Sequence, residues 1–316
     1  MDIYLPIAEM SMNIFVLMGV GVVVGFLSGL FGIGGGFLMT PFLTFMGVPA
    51  AIAVASQANQ QVGTSLSGAL AHWRKRNVDF QMAFILMVGS IIGTTIGVQA
   101  FKWLKQIGQI NLFIAICYVS LLSVVGLLML WESAPRLMRK GERSRAAPRA
   151  AQTEAATLKK ERVEGWGAQS PFAMSFPVSN LRVSLLLPLG LGVLAGVLVS
   201  MLGVGGFVMV PAMIYILKMP PRLVNGTSLV QIIFTSALAT VMQCLSNHTV
   251  DVLLAIMLLM GSVLGVPLGA RLSSRLSSEV ARFLMALLIL FVAVILLKDL
   301  TFMPKTLFSI DVTVLS

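Results

Sequence analysis

Several stretches of this chain run nearly the thickness of a bilayer without meeting a charge: Met82–Ala100, Ile110–Trp131, Val183–Leu202, Val252–Ala270 and Phe283–Leu297. A helix needs about 20 mostly apolar residues to cross a hydrocarbon core, and apolar runs near that length read as spans. One such run fits inside a soluble core, but this many in 316 residues do not. Composition agrees: 11% of residues are charged, against roughly 25% in soluble domains. The chain is therefore expected to be an all-α polytopic membrane protein. Met1–Asn13 carries Asp2 and Glu9 but no Lys or Arg, the wrong charge for a cleavable signal.

The net charge of +10 does not point to nucleic acid. The cations sit in short loops and one long tract, as they do beside the negative cytoplasmic face of a membrane. Cys117 and Cys244 lie in separate apolar runs with no CxxC or Cys/His cluster. Neither a disulfide framework, a metal site nor a cofactor is implied.

The two halves repeat each other. Gly25, Gly32, Gly34 and Gly35 match Gly196, Gly203, Gly205 and Gly206 at an offset of 171. Past a gap at Gly36, Phe37 and Pro41 match Phe207 and Pro211. At an offset of 172, Asn77–Asp79 answers Thr249–Asp251, and GSIIGTTIG from Gly89 answers GSVLGVPLG from Gly261. Small residues at every fourth position in this last pair read as close helix packing. The expected layout is a tail over 1–13, a first repeat over 14–131, a basic linker over 132–182, a second repeat over 183–298 and a tail over 299–316. The linker is charged and rich in Ala, Pro and Gly, too polar to fold alone.

About five segments are counted per repeat. An odd number inserts the second copy upside down. The loops agree with inversion: Arg74–Arg76 is basic, while its counterpart Ser246–Thr249 has no Lys or Arg. Both tails then lie outside and the linker in the cytoplasm of a multi-pass protein of a bacterial inner membrane. Inverted repeats are characteristic of secondary transporters.

The second segment of each repeat, Phe37–Met46 or Phe207–Leu217, is too short to span as a helix. Gly32 and Pro41, with Gly203 and Pro211, bracket these segments and are expected to break helices or act in gating. A half-helix starting at such a break aims free backbone N–H groups and its positive end at what precedes it, which suits an anion. Gly34, Gly35, Gly36, Gly205 and Gly206 are thus candidate binding residues. The third segments add uncharged donors: Ser56, Gln57, Asn59 and Gln60, then Asn225, Thr227, Ser228 and Gln231. An offset of 172 pairs Ser56 with Ser228 and Asn59 with Gln231. No Asp or Glu falls inside the proposed spans, which disfavours a cation as the main substrate. Asp79 and Asp251 precede apolar runs, where they fit N-caps or a part in proton coupling.

These motifs resemble the TauE/SafE (TSUP) family of sulfite and sulfonate exporters. The carriers are GLFGIGGGFLMTP, ALAHWRKRNVD, GSIIGTTIG, LGVGGFVMVP, NGTSLVQ and GSVLGVPLGARLS. The resemblance covers roughly 14–131 and 183–298. It implies a transporter, not an enzyme, that moves a small sulfur-containing anion such as sulfite, sulfoacetate or another sulfonate, with export driven by a proton or other cation. The first half departs from the pattern, with ASQAN where the second has GTSL. A passive anion channel, or an importer of sulfonates or carboxylates, remains the alternative, and self-association is left open.

Overall fold

The computed structural model describes residues 2–31, 36–74, 76–138, 163–164, 173–176, 178–179, 181–273 and 278–302. Gly32, Gly34 and Gly35 lie outside them. In chain order the helices are α1 (Ile14–Phe31), α2 (Gly36–Phe45), α3 (Ala50–Arg74), α4 (Phe80–Gln106), α5 (Ile110–Met138), α6 (Leu186–Leu202), α7 (Gly206–Tyr215), α8 (Pro221–Asn247), α9 (Val252–Ser273) and α10 (Ser278–Phe302). Short strands accompany them among the described residues: β1 (Asp2–Leu5), β2 (Met10–Asn13), β3 (Val163–Glu164), β4 (Ala173–Phe176) and β5 (Leu181–Ser184). Within α1, α4, α5, α8, α9 and α10 lie six described stretches long and apolar enough to cross a membrane, so the protein is a multi-pass helical membrane protein.

α3 is not among those six, although it has 25 residues. Its Ser, Gln and Thr side chains lower its hydropathy, and Ser56, Gln57, Gln60, Gln61, Thr64 and Ser65 are all buried. Such a helix is tolerated at membrane depth only when protein surrounds it. α2, α8 and α9 do so.

Helix ends follow local chemistry. Asp79 caps α4, its side chain accepting from Met82 N. Pro221 opens α8, where its missing N–H leaves no helix bond unmade. Gly203 closes α6 in the left-handed region, at φ 70. Its N–H bonds back to Val199 O at 2.8 Å.

Two glycine seams hold the outer helices together. On α1, Gly21 and Gly25 lie against the backbone of Leu258 and Ser262 in α9; Gly265 and Gly269 of α9 lie against Val22 and Phe26. On α4, Gly89, Gly93 and Gly97 meet Leu189, Val193 and Val197 of α6. A Cβ built on Gly93 would stand 2.0 Å from Val193 O. The GSIIGTTIG and GSVLGVPLG stretches are thus packing faces, where absent side chains let backbones touch.

The same contacts give helix directions. Residue numbers rise together along α1 and α9, and along α4 and α6, so each pair runs parallel. Along α3 and α8 they run oppositely. Gly226 packs beside His72, Gly68 beside Leu229, and Ser236 bonds to Gln61. α3 and α8 are therefore antiparallel. Contacts also exchange between the halves: α1 packs on α9 as α6 packs on α4, and α3 meets α9 as α8 meets α4.

The duplication reaches further than the helices. β1 and β2 pair Asp2 with Asn13, and β4 and β5 pair Ala173 with Ser184. Both ends of the second hairpin are displaced by 171 from the first (173 − 2 and 184 − 13). Residues expected to be tail and linker thus include a matched hairpin ahead of α1 and another ahead of α6.

Candidate functional site

The two short helices meet end to end. α2 and α7 have 10 residues each, about 15 Å of helix, half a hydrocarbon core. Phe37 and Phe207, the second residue of each, stack with ring centroids 4.5 Å apart and planes 20° from parallel. Both rings are buried. The helix starts, with their unbonded N–H groups and positive dipole ends, therefore lie close together. Pro41 and Pro211 occupy the sixth position of each helix. Neither can donate to the carbonyl four residues back, which belongs to Phe37 in one helix and Phe207 in the other.

Two glutamines of α3 lie at this junction. Gln57 Oε1 accepts from Thr40 Oγ1 of α2 at 2.5 Å, and its Nε2 donates to Gly203 O of the other half at 2.6 Å. Gln61 accepts from Ser236 Oγ of α8 at 3.3 Å. The Gln61 Nε2 lies beside both glycine breaks. A Cβ on Gly36 would stand 2.9 Å from it, and one on Gly205 3.9 Å. The Gly36 Cβ would also meet Gly203 O at 2.6 Å. Glycine is needed here because backbone from one half and amides from α3 fill the space a side chain would take. Tyr118 of α5 closes one side, its hydroxyl donating to Leu202 O.

A second polar layer surrounds the first. Gln60 Nε2 donates to Ser262 Oγ of α9 at 2.5 Å. In the other half Gln231 Nε2 donates to Thr235 Oγ1 at 3.1 Å, and Thr235 Oγ1 donates to Ser90 Oγ of α4 at 2.7 Å. Farther out sit the fully buried Asp79 and Asp251. Asp79 N donates to Thr227 Oγ1 and Asp251 N to Ser56 Oγ, both at 3.0 Å. Each carboxylate caps its own helix, through Met82 N and Leu254 N. Each also receives a bond from a hairpin turn, Ser179 Oγ on Asp79 and Ile7 N on Asp251.

The sequence-selected residues therefore separate. Gly36, Gln57, Gly203, Gly205 and Gly206 come together at the junction. Gln60 and Gln231 form the layer around it. Ser56 and Thr227 anchor the loop ends, and Ser228 Oγ bonds to Asn225 O in its own helix. Asn59 and Asn225 are half-buried, and Asn59 lies on α3 outside the arc of Ser56, Gln57, Gln60, Gln61 and Thr64. The contacts pair Ser56 with Thr227 and Gln60 with Gln231, one residue away from the pairing expected in the sequence. The offset stays at 171 through most of the third helix. It reaches 172 by the following loop, where Arg76 and His248 share a positive φ. Thr40, Gln61, Tyr118, Thr235 and Ser236 were missed. Gln61 was one place beyond the selected run, Thr40 and Tyr118 sat alone among apolar neighbours, and the Thr235–Ser236 pair followed an apolar stretch.

Residues 17–296 match a family model described as Sulfite exporter TauE/SafE. Among curated proteins, the probable membrane transporter protein YjnA of Bacillus subtilis (strain 168) is 28% identical, the match covering 80% of this chain and 87% of the relative. The probable membrane transporter protein YunE of the same organism is 24% identical over 79% of this chain and 85% of its own length. No solved structure matches the chain.

Proposed function

This chain belongs to the sulfite exporter TauE/SafE family and is a membrane transporter of that type; on that premise we propose that it moves a small sulfur-containing anion, such as sulfite, sulfoacetate or another sulfonate, outward by alternating access. One observation carries this reading. The starts of α2 and α7 meet at the Phe37–Phe207 stack with the amides of Gln57 and Gln61 between the glycine breaks. Neutral donors and helix N-termini hold an oxyanion without a fixed countercharge. Release then breaks no strong ion pair.

We take the two halves as inverted repeats. The antiparallel run of α3 against α8, the exchanged contacts and the matched hairpins support this. Rocking that keeps the α1–α9 and α4–α6 pairs intact would separate Phe37 from Phe207 and open the junction to each side in turn. In this reading the protein lies in a bacterial inner membrane with the linker over 132–182 in the cytoplasm. A proton or other cation drives export.

Counterflow in proteoliposomes tests the proposal. Vesicles preloaded with sulfite should accumulate labelled sulfite transiently, and sulfoacetate or methanesulfonate outside should compete. A channel equilibrates the label with no overshoot. No overshoot with any sulfur oxyanion would remove the reading.

A further inference from the structure

Gln60 and Gln231 share a feature that transport as stated does not use. Both are buried, and the amide carbonyl oxygen of each has no hydrogen-bond partner among the described residues. They occupy equivalent places in α3 and α8, each facing a hydroxyl on the fourth helix of the opposite half or leading to one.

The hydroxyls fix which end of each amide is left over. A serine or threonine has one proton to give. Ser262 Oγ lies 2.7 Å from Leu258 O and 3.2 Å from Gly21 O, so its proton goes to a backbone carbonyl. It is left to accept, and only an N–H of Gln60 satisfies it. In the other half, Ser90 Oγ gives its proton to Met87 O at 2.8 Å. Thr235 Oγ1 lies 2.7 Å from Ser90 Oγ and 2.9 Å from Gln231 O, and whichever takes its proton, Thr235 is left to accept from Gln231 Nε2. In this arrangement each amide nitrogen faces a hydroxyl and each carbonyl oxygen is left over. Both glutamines therefore present an acceptor, in a layer where the substrate's own oxygens are also acceptors.

Resting on the transport reading above, we infer that the substrate enters this site as a monoprotonated oxyanion whose own O–H donates to the Gln60 or Gln231 carbonyl. A buried acceptor is costly until it meets a donor. An acidic oxyanion brings one, and its remaining oxygens are left for the N–H groups at the helix starts. Hydrogensulfite has this form. A sulfonate has the same single charge and no acidic proton, and the dianion of sulfite has neither property. The site selects by proton as well as by charge.

Titratable groups on the surrounding elements include Asp79 and Asp251 at the loop ends, Cys117 and Tyr118 on α5, His72 and Arg74 at the end of α3, Lys102 and Lys105 on α4, Tyr215 on α7, Arg222 and Cys244 on α8 and Arg271 on α9. Methanesulfonate, a monoanion like hydrogensulfite, serves as the control for charge changes at these groups.

The test measures competition against labelled sulfite in proteoliposomes on both sides of sulfite's own titration, with methanesulfonate as the protonless monoanion. Sulfite affinity should track the hydrogensulfite fraction, falling about tenfold for each pH unit on the alkaline side. Methanesulfonate should bind at least about tenfold more weakly than hydrogensulfite and show no such trend. In the Gln60→Met, Gln231→Met double variant the two monoanions should converge. Should that variant not fold, the wild-type comparison stands by itself. Equal affinity for methanesulfonate and hydrogensulfite, or sulfite affinity independent of its protonation, would overturn the inference and leave transport intact. No saturable uptake of any sulfur oxyanion at any pH would overturn both.

Discussion

Gln61 lies at the junction beside Gln57, although it was not chosen from the sequence. It joins α3 to Ser236 on α8, with its amide nitrogen beside Gly36 and Gly205. Replacing it with Met keeps the length and removes the polar end. Gln61→Met should lower sulfite affinity by about tenfold or more, while detergent-solubilised protein keeps its melting temperature within a few degrees. Asn59→Ala should change affinity less, because Asn59 lies off the buried arc. Gly206→Leu should abolish counterflow while the protein still reaches the membrane, since Gly206 is buried at the start of α7. The glycines and the Ser56–Gln60 cluster were legible in sequence because polar residues in an apolar run are costly and call for an explanation. Thr40 and Tyr118 were not, since a lone hydroxyl among apolar neighbours reads as helix packing until its partner is known.

At the scale of elements, two glycine seams set how the outer helices pair. They run along α1 with α9 and along α4 with α6, with carbonyls where a Cβ would stand. Gly93→Leu should abolish folded protein in a fluorescence size-exclusion assay. Gly190→Leu on the partner helix should not, because nothing lies within 4 Å of that position. The period of these seams was plain in the sequence, but which helix each one met was not. Parallel pairing across the halves is a long-range choice that local pattern does not encode. The caps behave likewise. Asp79→Ala should lower thermal stability by about 1 kcal/mol or more, from loss of the bond to Met82 N. It leaves Ser179 without its acceptor as well. That the hairpins reach these carboxylates was hidden, because residues 173–184 follow a polar tract and their alternation is short.

For the whole molecule, inversion is the strongest claim, and the hairpins make it accessible to measurement. Tyr4 and Met174 are both exposed on them. In a Cys117→Ser, Cys244→Ser background, Tyr4→Cys and Met174→Cys should label with an impermeant maleimide from opposite sides of oriented vesicles. Labelling from one side would make the halves parallel. The count of spans and the loop charges already pointed to inversion. The meeting of α2 and α7 rests on tertiary packing that no single half contains.

That meeting is tested most directly by joining it. In the same background, freed of both native cysteines, Phe37→Cys and Phe207→Cys would replace the two stacked rings. Oxidation should link them, counterflow of sulfite should stop, and reduction should restore it. Counterflow at an undiminished rate through fully linked protein would contradict a transport site that opens between these two helix starts.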